Sequence, residues 1–535
     1  MRSLMRTPLL LAAMLAGLPS LAVHAQQAMP EATGATVTFP IRGFELSGEI
    51  PLSADETSRV LAPFIRSDGT LETLQKAGAA LEAALKERGY ALHRVTLPPQ
   101  EVGKKVTFII VKFVIGKVTI EGQNKYSQAN IRTSIPELQE GQAPNFRTLA
   151  VQTAIANENP GKQLQVSLKE SEEAEKIDVK LLVKETDPLS VSASLANTGS
   201  ASTGRDRLTA VVNHANMFDL DQQLSFAYTT SPNRTDSVKQ VGINYKIPLY
   251  AQRAVVGLSY TESNVFGDNG SFTNTGAGHT YGVNYNYYLE PQGGRRQYLT
   301  VGLDEKFFDA SVINNQRRIA SQPLFVISRP LSLGYTLRDE ADNTLWGYNV
   351  EYDLNLPYGS GTSLSEYQNG ATGFPDTRIS TAQFSILKLN ANFLTALSKG
   401  WLLGARGQVQ YTSDGLISGE QFGLGGASTI RGVEERVASS DSGFLASVEL
   451  TTPEFAAGLR ALGFVDAGYL SNNGQGAVLS NQLASIGVGL HYNLPKVSLS
   501  AEWGTVVVGV DQNTPGTNPP KAGDQKLHVN MTVRF

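Results

Sequence analysis

The stretch GGASTIRGVEERV, Gly425 to Val437, carries residue types on which chemistry could turn: a glycine-rich run, two hydroxyls and, after them, Arg431. Glycine-rich backbone can cradle phosphate, but a phosphate loop runs from a strand into a helix N-terminus so that its amides aim at the anion. Here Ser428 leads to Arg431 and Gly432, and no amphipathic helix follows. The run does not indicate nucleotide binding. Metal and catalytic chemistry find no better support. His24, His93, His214, His279, His491 and His528 form no metal-spaced pair, and no G-x-S-x-G elbow occurs. The absence of cysteine removes disulfides, thiolate zinc sites and cysteine nucleophiles. Asp219 and Asp221 flank Leu220 in MFDLDQQ, and a D-x-D between strands reads as turn chemistry. The chain is expected not to be an enzyme and to need no metal or cofactor.

The elements that must position Arg431 come next. A formal net charge of -4 over 535 residues does not suit a nucleic-acid binder driven by a basic surface. Arg2 and Arg6 precede an apolar run from Leu9 to Leu18, and Val23-His24-Ala25 offers a cleavage site. That run is too short for a spanning helix, which takes about 20 apolar residues. Residues 1–25 therefore read as a signal peptide, so the mature protein is expected to be exported, with the two-membrane envelope of a Gram-negative bacterium as the leading context. No other apolar run approaches this length. If the protein sits in a membrane it must be a closed β-barrel, because backbone donors in hydrocarbon need partners.

From Phe39 to Thr186 a mixed α/β order appears twice. In the first unit FPIRGFELSGEI reads as a strand, Ala54–Ile65 as a short helix, and Leu71–Arg88 as a longer helix with Leu71, Leu74, Ala77, Leu81 and Leu85 on one face. Gly89 stops that helix, and strands ALHRVTLPP and Val106–Ile115 follow. The second unit repeats the order with GKVTIEGQ, a helical SQANIRTSI, a helix over Asn145–Asn159, then KQLQVSL and KIDVKLLVKE. The bland reading is a pair of small adaptor modules, although their edge strands could receive an extended peptide by strand addition.

After Asp187-Pro188 helical periodicity ends and alternation begins. Val241, Ile243, Tyr245, Ile247 and Leu249 alternate with Gly242, Asn244, Lys246 and Pro248. Ile486, Val488, Leu490, Tyr492 and Leu494 alternate with Gly487, Gly489, His491 and Asn493, and the chain ends Leu527, Val529, Met531, Val533, Phe535 on one face. One apolar and one polar face, strand after strand, is the pattern of a transmembrane barrel with a wet lumen. From Asp187 to Phe535, at roughly 20 residues per strand with its connection, there is room for about 16 antiparallel strands. Phe535 fits as the C-terminal signal of a barrel whose last strand closes the sheet.

Three stretches carry a family resemblance. ERGYALHRVTLPPQEVGKKVTFIIV is similar to a polypeptide-transport-associated (POTRA) module, QFGLGGASTIRGVEERV to an inward-folded sixth extracellular loop with its V/I-R-G-F/Y signature, and GFVDAGYL to an F-x-D-x-G barrel strand. The chain resembles, over nearly its whole mature length, the outer-membrane transporters of two-partner secretion (TpsB type, the ShlB/FhaC/HecB family), relatives of the barrel-assembly factors.

That resemblance implies a mainly β protein: a signal peptide over 1–25, a short segment 26–36, periplasmic POTRA modules over 37–113 and 114–186, and a transmembrane β-barrel over 187–535. It implies that Ile430, Arg431 and Gly432 form a loop tip in the lumen, facing Phe464, Asp466 and Gly468 on the wall, with Arg431 paired to Asp466. Gly463 and Gly468 would keep the wall low for the loop. The plainer alternative is two solvated charges in a wide lumen. Val433 stands where the family has an aromatic residue. Gln26–Thr36 is too short for the plug helix of many relatives, since crossing a zone of about 30 Å takes about 1.5 Å per residue. The implied partners are an unfolded secreted protein with an N-terminal secretion domain, outer-membrane lipid, and the barrel-assembly machinery during biogenesis. The rivals are a barrel-assembly factor, a passive porin and a soluble secreted β enzyme.

Overall fold

A computed structural model of the chain describes residues 37–535 except 102–104, 201–202, 237, 265, 269–272, 276–277, 310–324, 370–375, 475–480 and 511–518. The signal peptide expected over 1–25 and the plug-free segment expected over 26–36 lie outside the described residues. The chain divides into two compact units, one chiefly of residues up to Glu185 and one chiefly of residues from Thr186.

The first unit opens with β1 (Phe39–Ile41) and β2 (Phe44–Gly48). Helix α1 (Ala54–Leu61) starts where Ser53 accepts the Glu56 amide and Glu56 bonds back, a capping box that satisfies two end donors. It ends earlier than the expected Ile65. Pro63 lacks an N–H, so Ala62–Phe64 tighten into a 3-10 turn and Ile65 is extended. The strand β3 (Arg66–Gly69), not anticipated from the sequence, pairs with β1.

Helix α2 (Leu71–Glu87) buries Leu74, Ala77, Gly78, Leu81 and Leu85. Leu71, expected on that face, sits at the first helical position and is exposed. Gly78 lies on the buried face instead, and its absent side chain lets Phe108 approach. Two strands follow, β4 (His93–Thr96) and β5 (Val106–Lys112), giving the sheet order β2-β5-β4 with β2 and β5 parallel.

The strand expected over Val106–Ile115 is in fact two. Phe113 donates its amide to Leu92 and Val114 donates to Glu175, so the chain leaves one sheet and enters the next. The second sheet is β6 (Val114–Glu121), β8 (Lys176–Glu185) and β7 (Lys162–Glu170), in that spatial order, again with the outer parallel pair. Between β6 and β7 come α3 (Gln128–Ser134), capped by Ser127, and α4 (Phe146–Ala156), whose cap Asn145 accepts from the amides of Arg147 and Thr148. The same order and parallel pairing occur twice, as the repeat in the sequence requires.

In the second unit sixteen antiparallel strands close a barrel, counting Phe325–Ser328 and Pro330–Glu340 as one strand interrupted at Arg329. The final strand, Gln525–Arg534, pairs with the first, Leu189–Ala196, from Asn530↔Ala196 to Arg534↔Ser192. Phe535 lies just beyond, exposed, with its amide donated to Val191. Side chains split by parity: Ile486, Val488 and Leu490 are exposed outward while Leu483 and Ser485 are buried, and Leu527 and Met531 face out while His528 is buried. Outward apolar chains on every strand suit lipid, whereas the inner face collects polar groups. No helix among the described residues is long and apolar enough to cross a membrane.

Candidate functional site: a buried arginine at a loop tip

Between the strands Leu402–Tyr411 and Ser442–Thr451 the chain makes a long loop. Phe422–Leu424 pairs with Ala438–Ser440 as a short hairpin stem, and Gly425–Val437 forms the tip. Gly425 and Gly426 both sit at φ +110°, a region open to glycine, and a side chain on Gly425 would strike Glu434 and Val437.

The amides of this turn are spent inside the loop. Gly425 donates to Thr429 Oγ1 at 2.9 Å, Gly426 to the Ile430 carbonyl at 3.0 Å, and Ala427 to Glu435 Oε1 at 2.9 Å. The carboxylate of Glu435 already occupies the acceptor position on the Ala427 amide. The glycines serve to fold the tip back on itself.

That fold projects Arg431 against the wall strands. Its Nε donates to Asp466 Oδ2 and its Nη2 to Asp466 Oδ1, both at 2.9 Å, the two-pronged geometry that a planar guanidinium makes with a carboxylate. The Arg431 backbone amide adds a third bond to Asp466 Oδ2 at 3.0 Å. Nη1 reaches Glu449 Oε2 at 2.9 Å and Glu502 Oε2 at 3.0 Å. Ser447 Oγ donates to Asp466 Oδ1 at 2.6 Å, and the Phe464 ring lies 3.4 Å from the guanidinium carbon. Such a ring face attracts a desolvated cation.

Arg431 is 3% exposed and Asp466 0%, so the pair is not two solvated charges. Burial pushes the Arg431 guanidinium toward losing its proton, but the Asp466 carboxylate, helped by Glu449 and Glu502, outweighs this and holds it more firmly charged than usual. Buried ions of this kind persist only when paired and hydrogen-bonded on all sides.

Apolar packing seats the rest of the tip. Ile430 and Val433 are buried with Leu424, Leu445, Leu470, Leu483 and Val506. Val433 thus fills, as an aliphatic side chain, the place where a ring was expected. Gly468 faces this cluster, and a side chain there would come within 2.6 Å of Leu424 and 3.0 Å of Ile430. Gly463 does not face the loop: it lies on the outward face, where a side chain would meet only the Gly487 carbonyl at 3.9 Å. Five is an odd separation, which in a strand puts Gly463 and Gly468 on opposite faces. Phe464, Asp466 and Gly468, two apart, share the inner one.

A second buried node holds the base of the same loop. Asp441 is fully buried and accepts from Arg378 Nη1 at 2.8 and 3.0 Å, from the Leu416 amide at 3.0 Å, from Gln421 Nε2 at 3.0 Å and from the Asn473 amide at 2.8 Å. Burial lowers the hold of Arg378 on its proton, while Asp441 and Asp376 raise it by more. Arg378, Asp441, Ser447, Glu449 and Glu502 were not singled out in the sequence. For Ser447, Glu449 and Glu502 the only sequence signal is inward parity on amphipathic strands, which many polar residues share; Arg378 and Asp441 lie in connecting segments outside the strands and carry not even that.

The remaining sequence candidates have structural roles. Asp219 and Asp221 occupy a left-handed turn with φ of +57° and +59°, in which Asn216 Nδ2 donates to Asp219 Oδ1 and Tyr250 Oη donates to Asp221 Oδ2. Among the described residues no cluster could hold a metal ion. The arrangement around Arg431 makes no bond and breaks none. Chemically it is a cluster of ion pairs and hydrogen bonds that holds a loop tip against the inner wall of a barrel.

Comparison with known proteins agrees with this architecture. Residues 175–492 match haemolysin secretion/activation proteins of the ShlB/FhaC/HecB type, and residues 39–112 match the ShlB-type POTRA domain. The chain is 22% identical to the outer membrane transporter CdiB of Escherichia coli over 493 residues, covering 89% of this chain and 80% of that one. It is also 22% identical to the heme/hemopexin transporter protein HuxB of Haemophilus influenzae over 450 residues, covering 82% and 77%. Among solved structures, CdiB from Escherichia coli superposes with a TM-score of 0.73 at 20% identity, over 95% of this chain and 93% of that one. CdiB from Acinetobacter baumannii gives 0.70 at 15% identity, over 97% and 94%.

Proposed function

The chain belongs to the ShlB/FhaC/HecB family of outer-membrane transporters, and from that premise we propose that it exports a secreted partner protein by the two-partner, type V route. The partner arrives unfolded and carries an N-terminal secretion domain. The POTRA modules, residues 37–113 and 114–186, lie in the periplasm and receive it. The barrel, residues 187–535, passes it outward. Residues 1–25 direct export of the transporter itself, and Phe535 marks its last strand for the barrel-assembly machinery.

The observation that carries this reading is the Arg431 latch. A diffusion pore has no need of a loop tip held in its interior by five side-chain bonds from Arg431 and a backbone amide. A gate that must yield to a polypeptide and then reset does. Ionic and hydrogen-bonded contacts suit that cycle, because each group released into a wet lumen is resolvated. Export needs no nucleotide: folding of the partner outside the cell draws it through.

Co-expression with a large exported protein encoded beside this one tests the proposal. The full chain is expected to release the partner into the medium, and deletion of residues 37–186 to stop release while leaving conductance through the barrel. Unchanged release from the deletion variant would refute a receiving role for the POTRA modules and favour a passive pore.

A further inference from the structure

The network around Arg431 leaves one buried group to another residue. Gly432, at φ +97°, lies against the backbone of Gly504, so closely that a side chain on Gly504 would stand 2.7 Å from the Gly432 nitrogen. The Gly432 amide is met by His528 Nε2 at 3.1 Å. His528 is 4% exposed and belongs to the closing strand Gln525–Arg534.

The ring's protonation follows from this contact. A nitrogen that accepts carries no proton, so the His528 proton sits on Nδ1. Nδ1 has no partner among the described residues. The residue lines a polar cavity of about 300 Å³ bounded also by Ser194, Thr209, Gln240, Ser428 and Glu435.

His528 also stands at the seam. The ladder between the last and first strands covers only Asn530–Arg534. Upstream of it the side chain of Asn197 bridges the gap, accepting from the Val529 amide at 2.8 Å and donating to the Leu527 carbonyl at 2.7 Å. His528 lies between those two residues. A buried amide without an acceptor pays its full desolvation cost, so the Gly432 turn packs more stably against the wall once the closing strand has brought His528 into place.

We propose that His528 is the positioning residue of the loop tip: by accepting the Gly432 N–H it couples docking of Arg431 to closure of the barrel at its last strand. This goes beyond the export reading and rests on it only in taking the docked tip as the resting state. The role is distinct from that of Asp466, because His528 reads the backbone of the tip rather than its charge.

The chain has no cysteine, so Ser428→Cys supplies a single thiol at the tip. In the full-length protein, in outer-membrane vesicles and with heat-modifiable migration confirming a folded barrel, the rate of reaction with a hydrophilic maleimide reports how long the tip is undocked. Gly504→Ala, whose methyl group displaces Gly432, sets the rate for a released tip. His528→Leu removes the acceptor and His528→Asn draws it out of reach, and each is expected to raise labelling about tenfold or more, as loss of a buried hydrogen bond does. His528→Gln, whose amide oxygen can replace Nε2, is expected to stay within about twofold of the parent. A parental rate in either His528→Leu or His528→Asn overturns the proposal, as does a His528→Gln rate equal to that of Gly504→Ala. Labelling needs no exported partner, so failure of the export reading would leave this result standing, and the converse holds as well.

Discussion

Arg431 and Asp466 lie 35 positions apart in the chain, and the arginine holds the carboxylate with three donors: Nε, Nη2 and its own backbone amide, at 2.9, 2.9 and 3.0 Å. Side chain and backbone grip one group together, so the bond fixes both the charge and the conformation of the tip. A lysine could supply the charge but not the fork.

Breaking the pair from either side strands an ion. Arg431→Asp would crowd Asp466, Glu449 and Glu502 with a fourth carboxylate and is expected to abolish partner secretion. Removing one member of a buried pair costs about 3–5 kcal/mol, read as a lower temperature for loss of heat-modifiable migration. Adding Asp466→Arg to Arg431→Asp restores part of the secretion. Normal secretion by either single variant would sink the pairing as a functional element.

The two glycines of the wall motif separate cleanly. Gly468→Val places atoms against Leu424 and Ile430 and is expected to cost about 1–3 kcal/mol by overpacking, with secretion reduced. Gly463→Val adds an apolar group to the lipid-facing side and is expected to leave migration and secretion at parental levels. Equal effects of the two substitutions would contradict the assignment of faces.

Asp441 is the acceptor for two backbone amides and two side chains, among them that of Arg378. Asp441→Ala orphans all of these, and unsatisfied buried donors cost about 1–3 kcal/mol each. The loop base is therefore expected to loosen while the Arg431 tip stays docked. Limited proteolysis of the folded barrel should show faster cleavage within residues 412–441, and protection equal to the parent would count against the node.

A pH dependence is expected in the α/β unit. His93 is buried on β4 with neither ring nitrogen bonded among the described residues. Burial holds its pKa below the ordinary value, with Glu49 opposing and Lys112 adding to the shift. The folded state thus binds fewer protons than the unfolded one. Its stability is fully present above the unfolded value of about 6.5 and falls as pH drops toward the lowered folded value. Amide exchange of β4 and β5 in the full-length protein, corrected for intrinsic rates, should speed up below about pH 6.5. The variant His93→Leu should remove that dependence.

The sequence by itself determined the architecture. Alternation with period two exists because one face of each strand meets lipid and the other a wet lumen, so Val241–Leu249 and Leu527–Met531 declare their faces without a partner strand. Caps and stops such as Ser53 and Gly89 are likewise local, since they act on groups within a few residues. Parity even contained the distinction between Gly463 and Gly468, although the sequence reading grouped them. What only the tertiary structure decided is which polar residues meet. Ser447 stands opposite Asp466 and Glu502 opposite His528 through strand register, and register depends on every turn and bulge around a closed sheet. The division of Val106–Ile115 between two sheets also depended on distant partners, Leu92 and Glu175. The Arg431 motif was visible from family resemblance, but the carboxylates, serine and histidine around it come together only when the barrel closes.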